Sequence, residues 1–380
     1  MRFLLLNQFY PPDPAPTGQY LHDVARTLVE RGHQVDVVCS RRSYDGTRSF
    51  SKSETLAGVR VRRLPASGFC RRSYVGKLAD YGTFYASLLA ALLFRRERPD
   101  MILSLTTPPY IGLLGRLAAA RHRCQRADWV MDLYPDVMYA QGMARNHPFL
   151  FGCLQRLTRL QLRRTGCVVV LGPFMAEKVS AYLKPNRHHG EPPTSDFMEL
   201  KRGDGVAPIA WIPLWTDPQL EPWPDYEPNW LRVRRGWRAD ETVCLYSGNM
   251  GLGHRFGEFL EAARRLGSAG PRWVFTGGGK RKCEIESFAR NHPEARLEVS
   301  GYVPKEELRA HLCAADVHLA SLDSSWEGLI VPSKLQGCFA VGRPVLFVGG
   351  RNNETATWID QSGGVDSGIR LDFDFAGKSR

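Results

Sequence analysis

An acidic residue, Glu327, precedes a Pro-Ser-Lys turn that ends at Lys334. Short apolar runs bounded by Gly and Pro flank this stretch, and such runs are typical of buried parallel strands. The residues after Lys334 predict a short helix that ends near Gly342. A helix N-terminus attracts anions through its N–H groups and macrodipole, and a lysine there adds a full charge. The stretch therefore predicts phosphate binding, although an ordinary strand-to-helix connection with both charged side chains in water fits the same pattern.

Similar strand-loop-helix units run through the whole chain, so we expect an α/β fold with parallel sheets. The first unit joins a strand at Phe3–Leu6 to a helix at Tyr20–Arg31, with Gly18 at the helix entrance. This single glycine does not make a dinucleotide fingerprint, and the glycines at 277–279 lack the spacing of a P-loop. Polar residues predict loops at 41–55 and 184–206.

A second candidate group, Asp132, lies in a strand predicted over Trp129–Leu133. Open α/β sheets hold their ligands at the carboxyl ends of the strands, so we expect Asp132 at a binding edge. Asp136 follows shortly after, and capping of the next helix explains it equally well.

The length of 380 residues allows two or three domains. A segment rich in Pro and Trp, residues 216–240, predicts a linker between an N-terminal domain, 1–215, and a C-terminal domain, 241–380. No apolar run approaches the roughly 18 residues that a membrane span requires. The nine cysteines form no C-x-x-C pairs, which argues against a zinc site or a disulfide framework and favours a reducing cytoplasm.

Positive charge is concentrated in the first half of the chain. Residues 1–200 hold 28 basic and 16 acidic side chains, which accounts for the whole net charge of +12. Such a domain suits an anionic membrane surface or an anionic substrate, and plain solubility is the alternative. No recognised nucleic-acid-binding module is present. The apolar segment Phe84–Phe94 has arginines on both sides and could lie in a membrane interface or pack inside the domain.

Four motifs in order along the chain resemble the GT-B glycosyltransferases. They look most like family 4, the retaining nucleotide-sugar transferases, in its bacterial capsule and lipopolysaccharide branch. The motifs are Pro-Pro-Asp-Pro-Ala-Pro-Thr-Gly at 11–18, Tyr-Ser-Gly-Asn-Met-Gly at 246–251, Gly-Tyr-Val-Pro at 301–304, and Val-Pro-Ser-Lys-Leu with Gly-Arg-Pro-Val at 331–335 and 342–345. The resemblance covers about residues 1–365. It implies two Rossmann-like parallel-sheet domains that face each other across a cleft, with the acceptor bound by the first domain and the donor by the second.

The resemblance also implies roles for individual residues. The catalytic group would consist of Glu327, Arg255, Lys334 and Asp132, in which Arg255 and Lys334 neutralise the diphosphate and Glu327 reaches the donor's sugar or ribose. Gly18 would let the backbone of the first domain come close to the transferring sugar, where a β-carbon would obstruct it. Further donor contacts would come from Asn249, His254, Tyr302, Val303, Pro304 and Ser333. Neither a metal nor another cofactor is implied, because cationic side chains and helix N-termini carry the developing phosphate charge.

Several features depart from the family pattern. Many relatives have a second Glu eight positions after the first, with seven residues between them, whereas Leu335 stands there in this chain. Many also have an arginine where Asn249 stands and a histidine where Asp132 stands. Residues 361–380 contain no convincing helix, which predicts a shortened end.

The sequence therefore predicts a metal-independent transfer with retention from a nucleotide-sugar, expected to be UDP-linked, to a lipid-linked or glycan acceptor. We expect the protein in the cytoplasm and peripheral on the inner face of the membrane, with no nucleic-acid partner. Two alternatives remain open. A nucleotide-sugar 2-epimerase shares the fold but would need more acids and histidines in its cleft, and an inactive scaffold protein would keep the fold without turnover.

Overall fold

The computed structural model describes residues 1–44, 46–68, 74–143, 147–183, 207–224, 228–362 and 368–371. The chain divides into two compact units, Met1–Pro213 and Leu214–Arg380, and each contains an α/β arrangement with a mainly parallel sheet. This confirms the predicted fold class. The loop predicted at 184–206 lies outside the described residues, and residues 216–240 are grouped with the second unit.

The first unit is built on eight strands among the described residues: β1 (Arg2–Leu6), β2 (Gln34–Ser40), β3 (Ser53–Leu56), β4 (Val59–Leu64), β5 (Met101–Ser104), β6 (Gln125–Trp129), β7 (Cys167–Val170) and β8 (Ile209–Trp211). They pair in the order β3-β4-β2-β1-β5-β6-β7-β8, and β3 is antiparallel to β4. The helices are α1 (Pro16–Glu30), α2 (Tyr74–Leu93), α3 (Ile111–His122), α4 (Asp136–Ala140), α5 (Pro148–Leu162) and α6 (Pro173–Leu183). Leu4, Leu5 and Leu6 are fully buried, so both faces of β1 are covered, as in other parallel sheets.

The second unit contains six parallel strands among its described residues: β9 (Val243–Ser247), β10 (Arg272–Thr276), β11 (Leu297–Ser300), β12 (Val317–Ser321), β13 (Val345–Val348) and β14 (Gly368–Leu371). Their order is β11-β10-β9-β12-β13-β14. The helices are α7 (Trp230–Arg234), α8 (Gly257–Leu266), α9 (Lys282–Asn291), α10 (Leu308–Cys313), α11 (Lys334–Ala340) and α12 (Glu354–Gln361). Strand order reverses beside β9, so the loops after β9 and β12 leave the sheet at the position where open α/β sheets bind ligands.

Two predicted boundaries near candidate site residues are wrong. Helix α1 begins at Pro16, ahead of the predicted Tyr20, because proline is well suited to the first turn of a helix. Strand β6 ends at Trp129, so Asp132 lies in the loop after the strand and not within it. The prediction failed because β6 carries Arg126 and Asp128, a buried ion pair with 2.6 Å between its atoms, which makes the strand polar in sequence.

Three strands, β3, β8 and β14, were not predicted. Strand β3 falls inside the segment 41–55 that was interpreted as a loop, because its exposed residues alternate with half-buried ones and it has no apolar run. Strand β14 follows the end of α12 and pairs in parallel with β13. The segment 361–380 therefore contributes a strand to the sheet, while residues 372–380 lie outside the described residues.

The predicted apolar segment Phe84–Phe94 forms the C-terminal part of α2 and the residue after it. Phe84, Leu88 and Leu92 are at most 3% exposed and pack in the core of the first unit, which is the alternative left open by the sequence. Leu93 and Phe94, in contrast, are 40% and 83% exposed. No helix in the described part of the chain is long and apolar enough to cross a membrane.

Candidate functional site

Lys334 begins helix α11, and its ammonium group is enclosed by protein. The Nζ atom lies 3.4 Å from the centroid of the Tyr246 ring. It is buried and has no hydrogen-bond partner among the described residues. Burial lowers the pKa of the Lys334 amine to about 7, because removal from water penalises the charged form. A buried cation without a hydrogen-bond acceptor is costly, so this position is suited to an anion that supplies the missing partner.

The loop after β9, residues 247–255, lies against this lysine. A β-carbon built on Gly248 would be 3.8 Å from Nζ of Lys334. The Tyr246 hydroxyl donates a 2.8 Å hydrogen bond to the carbonyl of Asn249, and the Met250 N–H donates a 2.6 Å bond to the carbonyl of Gly278. The side chain of Asn249 is exposed at the same loop. The motif at 246–251 thus forms a short backbone turn that is tied to the ends of β9 and β10.

His254 is buried beside the same loop and is held in one orientation. Its Nδ1 lies 2.7 Å from the carbonyl oxygen of Ser321, at the end of β12. Since a carbonyl only accepts, Nδ1 carries the proton and Nε2 is the basic nitrogen. Burial first, and the positive charge of Lys334 next, lower the pKa of His254 to about 3. His254 is therefore a neutral side chain at any pH near 7.

Arg255 is the last residue of this loop, and its guanidinium is already paired within the protein. It forms an ion pair with Glu258 of α8, while its backbone N–H donates a 3.0 Å hydrogen bond to Ser321 Oγ. The role predicted for Arg255 at the diphosphate is thus not visible in its side-chain contacts. A different arginine, Arg281, donates a hydrogen bond to the carbonyl of His254 and lies with Cζ 5.4 Å from the Phe256 ring centroid. The sequence prediction did not include Arg281, and its place two residues after the glycines at 277–279 is the signal that could have identified it.

Glu327 follows a short turn after β12 and is half-buried. Its carboxylate occupies the space beside Gly350, where a β-carbon would overlap Oε1 of Glu327. Ser333 is the residue before α11, and its side chain makes no capping hydrogen bond to the helix. Glu327, Ser333 and Lys334 therefore all belong to the one connection between β12 and α11.

The Gly-Tyr-Val-Pro motif lies after β11, beyond the loop that follows β10. Tyr302 is 67% exposed, and its ring edge is 3.0 Å from a β-carbon built on Gly278. Val303 is half-buried, while Pro304 is exposed. An exposed aromatic ring with accessible backbone beside it is chemically suited to an aromatic base, and the role at the base expected from the sequence stays a prediction.

Asp132 and Gly18 belong to the first unit. Burial raises the pKa of the Asp132 carboxyl to about 6. Asp132 lines a cavity of about 20 Å³ together with Thr106 and Tyr134, which suffices for a water molecule and not for a sugar. A β-carbon on Gly18 would be 2.9 Å from the carbonyl oxygen of Phe9, so the protein's own backbone already makes the close approach that the sequence predicted for a sugar.

The structure brings most of the predicted donor residues into one neighbourhood of the second unit. Tyr246, Lys334 and the loop 247–255 are in direct contact, and Tyr302 adjoins that loop through Gly278. Within the described ranges, no three His, Cys, Asp or Glu side chains come together as possible metal ligands.

Comparison with known proteins agrees with this architecture. Residues 17–189 match the family described as glycosyl transferase 4-like domain. The chain is 21% identical over 359 residues to the putative colanic acid biosynthesis glycosyl transferase WcaI of Escherichia coli strain K12. The aligned part covers 90% of this chain and 82% of WcaI. It is 24% identical over 299 residues to the probable glycosyltransferase WbjE of Pseudomonas aeruginosa, covering 77% of this chain and 69% of WbjE.

Solved structures give the fold independently. WaaG, a glycosyltransferase involved in lipopolysaccharide biosynthesis, superposes with a TM-score of 0.65 at 14% identity, over 98% of this chain and 87% of WaaG. The chain therefore has the GT-B fold, and its residues 17–189 are similar to the glycosyl transferase 4-like family. HepE of Anabaena, solved in complex with UDP-glucose, matches this chain with a TM-score of 0.57 at 14% identity, over 91% of this chain and 80% of HepE.

Proposed function

We propose that this glycosyltransferase moves a sugar from a UDP-linked donor to a lipid-linked or glycan acceptor in surface polysaccharide biosynthesis, with retention at the anomeric carbon and without a metal. The observation that carries the proposal is the buried ammonium of Lys334, which has no hydrogen-bond partner among the described residues. A diphosphate supplies both the counter-charge and the acceptors that this group requires. The UDP-glucose bound to HepE supports a uridine nucleotide.

In the proposed complex, each part of the site acts on a different part of the donor. Lys334 and the N–H groups at the start of α11 bind the diphosphate. Tyr302 and the backbone of 303–304 hold the base, and Glu327 binds the sugar or the ribose. Asn249, His254 and Ser333 line the site, and Arg255 reaches the diphosphate if it exchanges Glu258 for the donor.

In the proposed mechanism, catalysis depends on positively charged side chains that are held in the donor site before the reaction begins. Positive groups aimed at the leaving diphosphate stabilise the negative charge that develops there, and removal of one such group costs on the order of 100- to 1,000-fold in turnover. The departing phosphate then accepts the proton of the acceptor hydroxyl on the face it leaves, which gives retention. Transfer without a metal is proposed on this electrostatic argument.

The acceptor is assigned to the first unit. Asp132, at the carboxyl end of β6, has a pKa raised to about 6 by burial and is proposed to bind an acceptor hydroxyl. Gly18 is retained from the sequence prediction as the place of closest approach to the sugar. The name of WcaI, which refers to colanic acid biosynthesis, supports a polysaccharide, or its lipid-linked precursor, as the product.

Membrane attachment is proposed through a small part of α2 and its surroundings. The inner face of α2 is occupied by the core, so the contact is limited to Leu93 and Phe94 with the exposed arginines Arg96 and Arg121. These four residues line an open groove of about 560 Å³. Basic residues next to exposed apolar ones favour an anionic lipid surface, which supports attachment to the cytoplasmic face as part of this proposal.

The test is turnover of a panel of UDP-sugars with lipid-linked glycans extracted from a strain that lacks the gene. Release of UDP only when acceptor is present supports a transferase. Isomerisation of the donor without acceptor would instead indicate the 2-epimerase, and nucleotide binding without turnover would indicate the inactive scaffold. NMR of the product, with and without a chelator, tests the mechanism: an inverted product, or loss of activity that a divalent ion restores, would contradict it.

A further inference from the structure

The ring of Tyr246 is the group that contacts the Lys334 ammonium most closely in the donor site. Nζ lies 3.4 Å from the ring centroid, inside the range in which the negative face of an aromatic ring attracts a cation. The ring itself is fully buried, so water does not compete for this contact. No oxygen or nitrogen of the described residues accepts a hydrogen bond from Nζ.

The surroundings of Tyr246 hold its ring in place. Its hydroxyl donates to the carbonyl of Asn249 at 2.8 Å. Phe256 packs edge-on against the ring with 4.9 Å between centroids, and Phe275 is stacked at 6.1 Å. A ring fixed by a hydrogen bond and two aromatic neighbours presents a stationary face to the lysine.

We propose that Tyr246 is a positioning residue, whose ring face keeps the Lys334 ammonium charged and aimed into the donor site until a diphosphate binds. The inference rests on the proposed function, because it assumes that Lys334 meets a nucleotide diphosphate. It extends that function by assigning the first residue of the 246–251 motif a role that its neighbours do not have. Without the ring, the buried amine would lose its proton or turn away from the site.

A pH dependence follows, and the neighbouring groups allow its assignment. The groups that face Lys334 or Tyr246 are Cys338 on α11, His254 on the loop after β9, Arg281 on the loop after β10, and Tyr302 after β11. Burial raises the pKa of Cys338 to about 12 and lowers that of His254 to about 3, so neither changes charge near pH 7–9. The pKa of the buried Lys334 amine, about 7, is the one in this range.

The experiment measures the affinity for UDP by calorimetry as a function of pH. The wild-type protein should bind UDP less tightly as the pH rises above neutrality, and Lys334→Ala should bind weakly at every pH without this alkaline limb. Position 246 is then replaced by Phe and, through an expanded genetic code, by mono-, di- and trifluorophenylalanine. These rings have nearly the same volume, but each added fluorine withdraws charge from the ring face. From Phe to trifluorophenylalanine the alkaline limb should move towards lower pH, by about one pH unit in total, as expected for a desolvated cation–π contact.

Phe275→Leu is the matched control, because it removes a buried ring that packs against Tyr246 but, among the described residues, is not the ring that the lysine contacts. It should lower the melting temperature while leaving the alkaline limb unchanged. The inference is wrong if the limb is absent from the wild type or is the same across the fluorinated series. If the wild type binds no UDP and no other nucleoside diphosphate, the proposed function fails, and that result is distinct from a flat fluorine series.

Discussion

A carboxylate oxygen of Glu327 occupies the space in which a β-carbon of residue 350 would lie. Among the amino acids, only glycine at position 350 therefore leaves room for the Glu327 side chain. Gly350 follows β13, whereas Glu327 belongs to the connection between β12 and α11. Two neighbouring strands thereby set the position of one acidic group at the same edge of the sheet. The contact concerns a side chain to which we assign the donor's sugar or ribose.

Gly350→Ala should displace Glu327 and lower turnover of the donor sugar. A misplacement of about 1 Å in a catalytic group costs up to about 100-fold, and we expect a loss between tenfold and that value. Gly257→Ala is the control, because a β-carbon there has no atom within 4 Å. Steady-state kinetics of both variants, with circular dichroism to establish folding, measure the effect. Equal kinetics in the two folded variants would show that the position of Glu327 is irrelevant to transfer.

Lys334→Ala should weaken binding of UDP by about 2–3 kcal/mol, the range for the loss of charge-assisted hydrogen bonds. The same change should raise the stability of the free protein near neutral pH. The folded-state pKa of Lys334, about 7, is below the ordinary lysine value of 10.5, so the unfolded chain binds more protons between these values. Stability of the wild type therefore rises with pH across this window, and that rise should be smaller in the variant.

Lys282→Ala is the matched lysine control for both measurements. Lys282 begins α9 in the same unit and pairs with Glu286 at 3.5 Å, on the surface. Calorimetry gives the affinity, and urea denaturation at several pH values gives the stability. Unchanged affinity for UDP in folded Lys334→Ala would refute the assignment of this lysine to the diphosphate.

The sequence predicted the connection from β12 to α11 because its parts are local: two apolar runs, a turn and a helix start determine where Lys334 lies. It did not predict the contact between Lys334 and Tyr246, since that depends on how two side chains from separate elements turn toward each other. The same limit explains why the sequence did not predict the ion pair between Arg255 and Glu258, which are three residues apart. The presence of a basic residue in a glycine-containing loop does not by itself identify the group with which that residue pairs.

The first unit was predicted less well near its candidate residues. The strand before Asp132 contains Arg126, which donates to Asp128 at 2.6 Å and to the carbonyl of Arg163 at 2.9 Å. Charged residues that pair with each other inside a core interrupt the apolar run by which a buried strand is predicted. The strand was therefore predicted over the next apolar residues, Trp129–Leu133, and not over Gln125–Trp129. Gly18 was recognised as a close-approach glycine, but only coordinates identify Phe9 as the group that approaches it.

Acid should destabilise the second unit through its buried histidines. His318 is 1% exposed, and burial lowers its pKa to about 4, below the unfolded value of 6.5. Between these values the unfolded chain binds a proton that the folded protein does not, so stability falls as the pH falls through this window. Each such group contributes up to about 1.4 kcal/mol per pH unit.

The measurement compares the wild type with His318→Leu by urea denaturation at pH 7 and pH 5. The variant should lose less stability between the two pH values, because leucine has no proton to bind. His311 is also fully buried, with a pKa lowered to about 3, and it is left in place so that the remaining slope is visible. An identical pH dependence in both proteins would contradict a neutral His318 in the folded state.

The last prediction concerns the membrane contact at the end of α2. Phe94 is 83% exposed, and Arg96 and Arg121 form no ion pair within the described part of the chain, whereas Arg95 beside them is paired with Asp36. Phe94→Ser and the double variant Arg96→Ser, Arg121→Ser should therefore weaken binding to vesicles that contain phosphatidylglycerol. Since each basic residue near an anionic surface contributes about 1 kcal/mol, the double variant should bind roughly 30-fold more weakly.

Sedimentation with vesicles at low and physiological salt measures this binding, and the added salt should weaken it because the Debye length falls to about 8 Å. Phe149→Ser is the matched control: Phe149 is 82% exposed near the start of α5 and has the same apolar area to lose. The prediction requires this control to bind vesicles like the wild type. Failure of the wild type to sediment with vesicles at low salt would exclude the membrane contact. An equal loss of binding in the Phe149 variant would show that the contact is not specific to the end of α2.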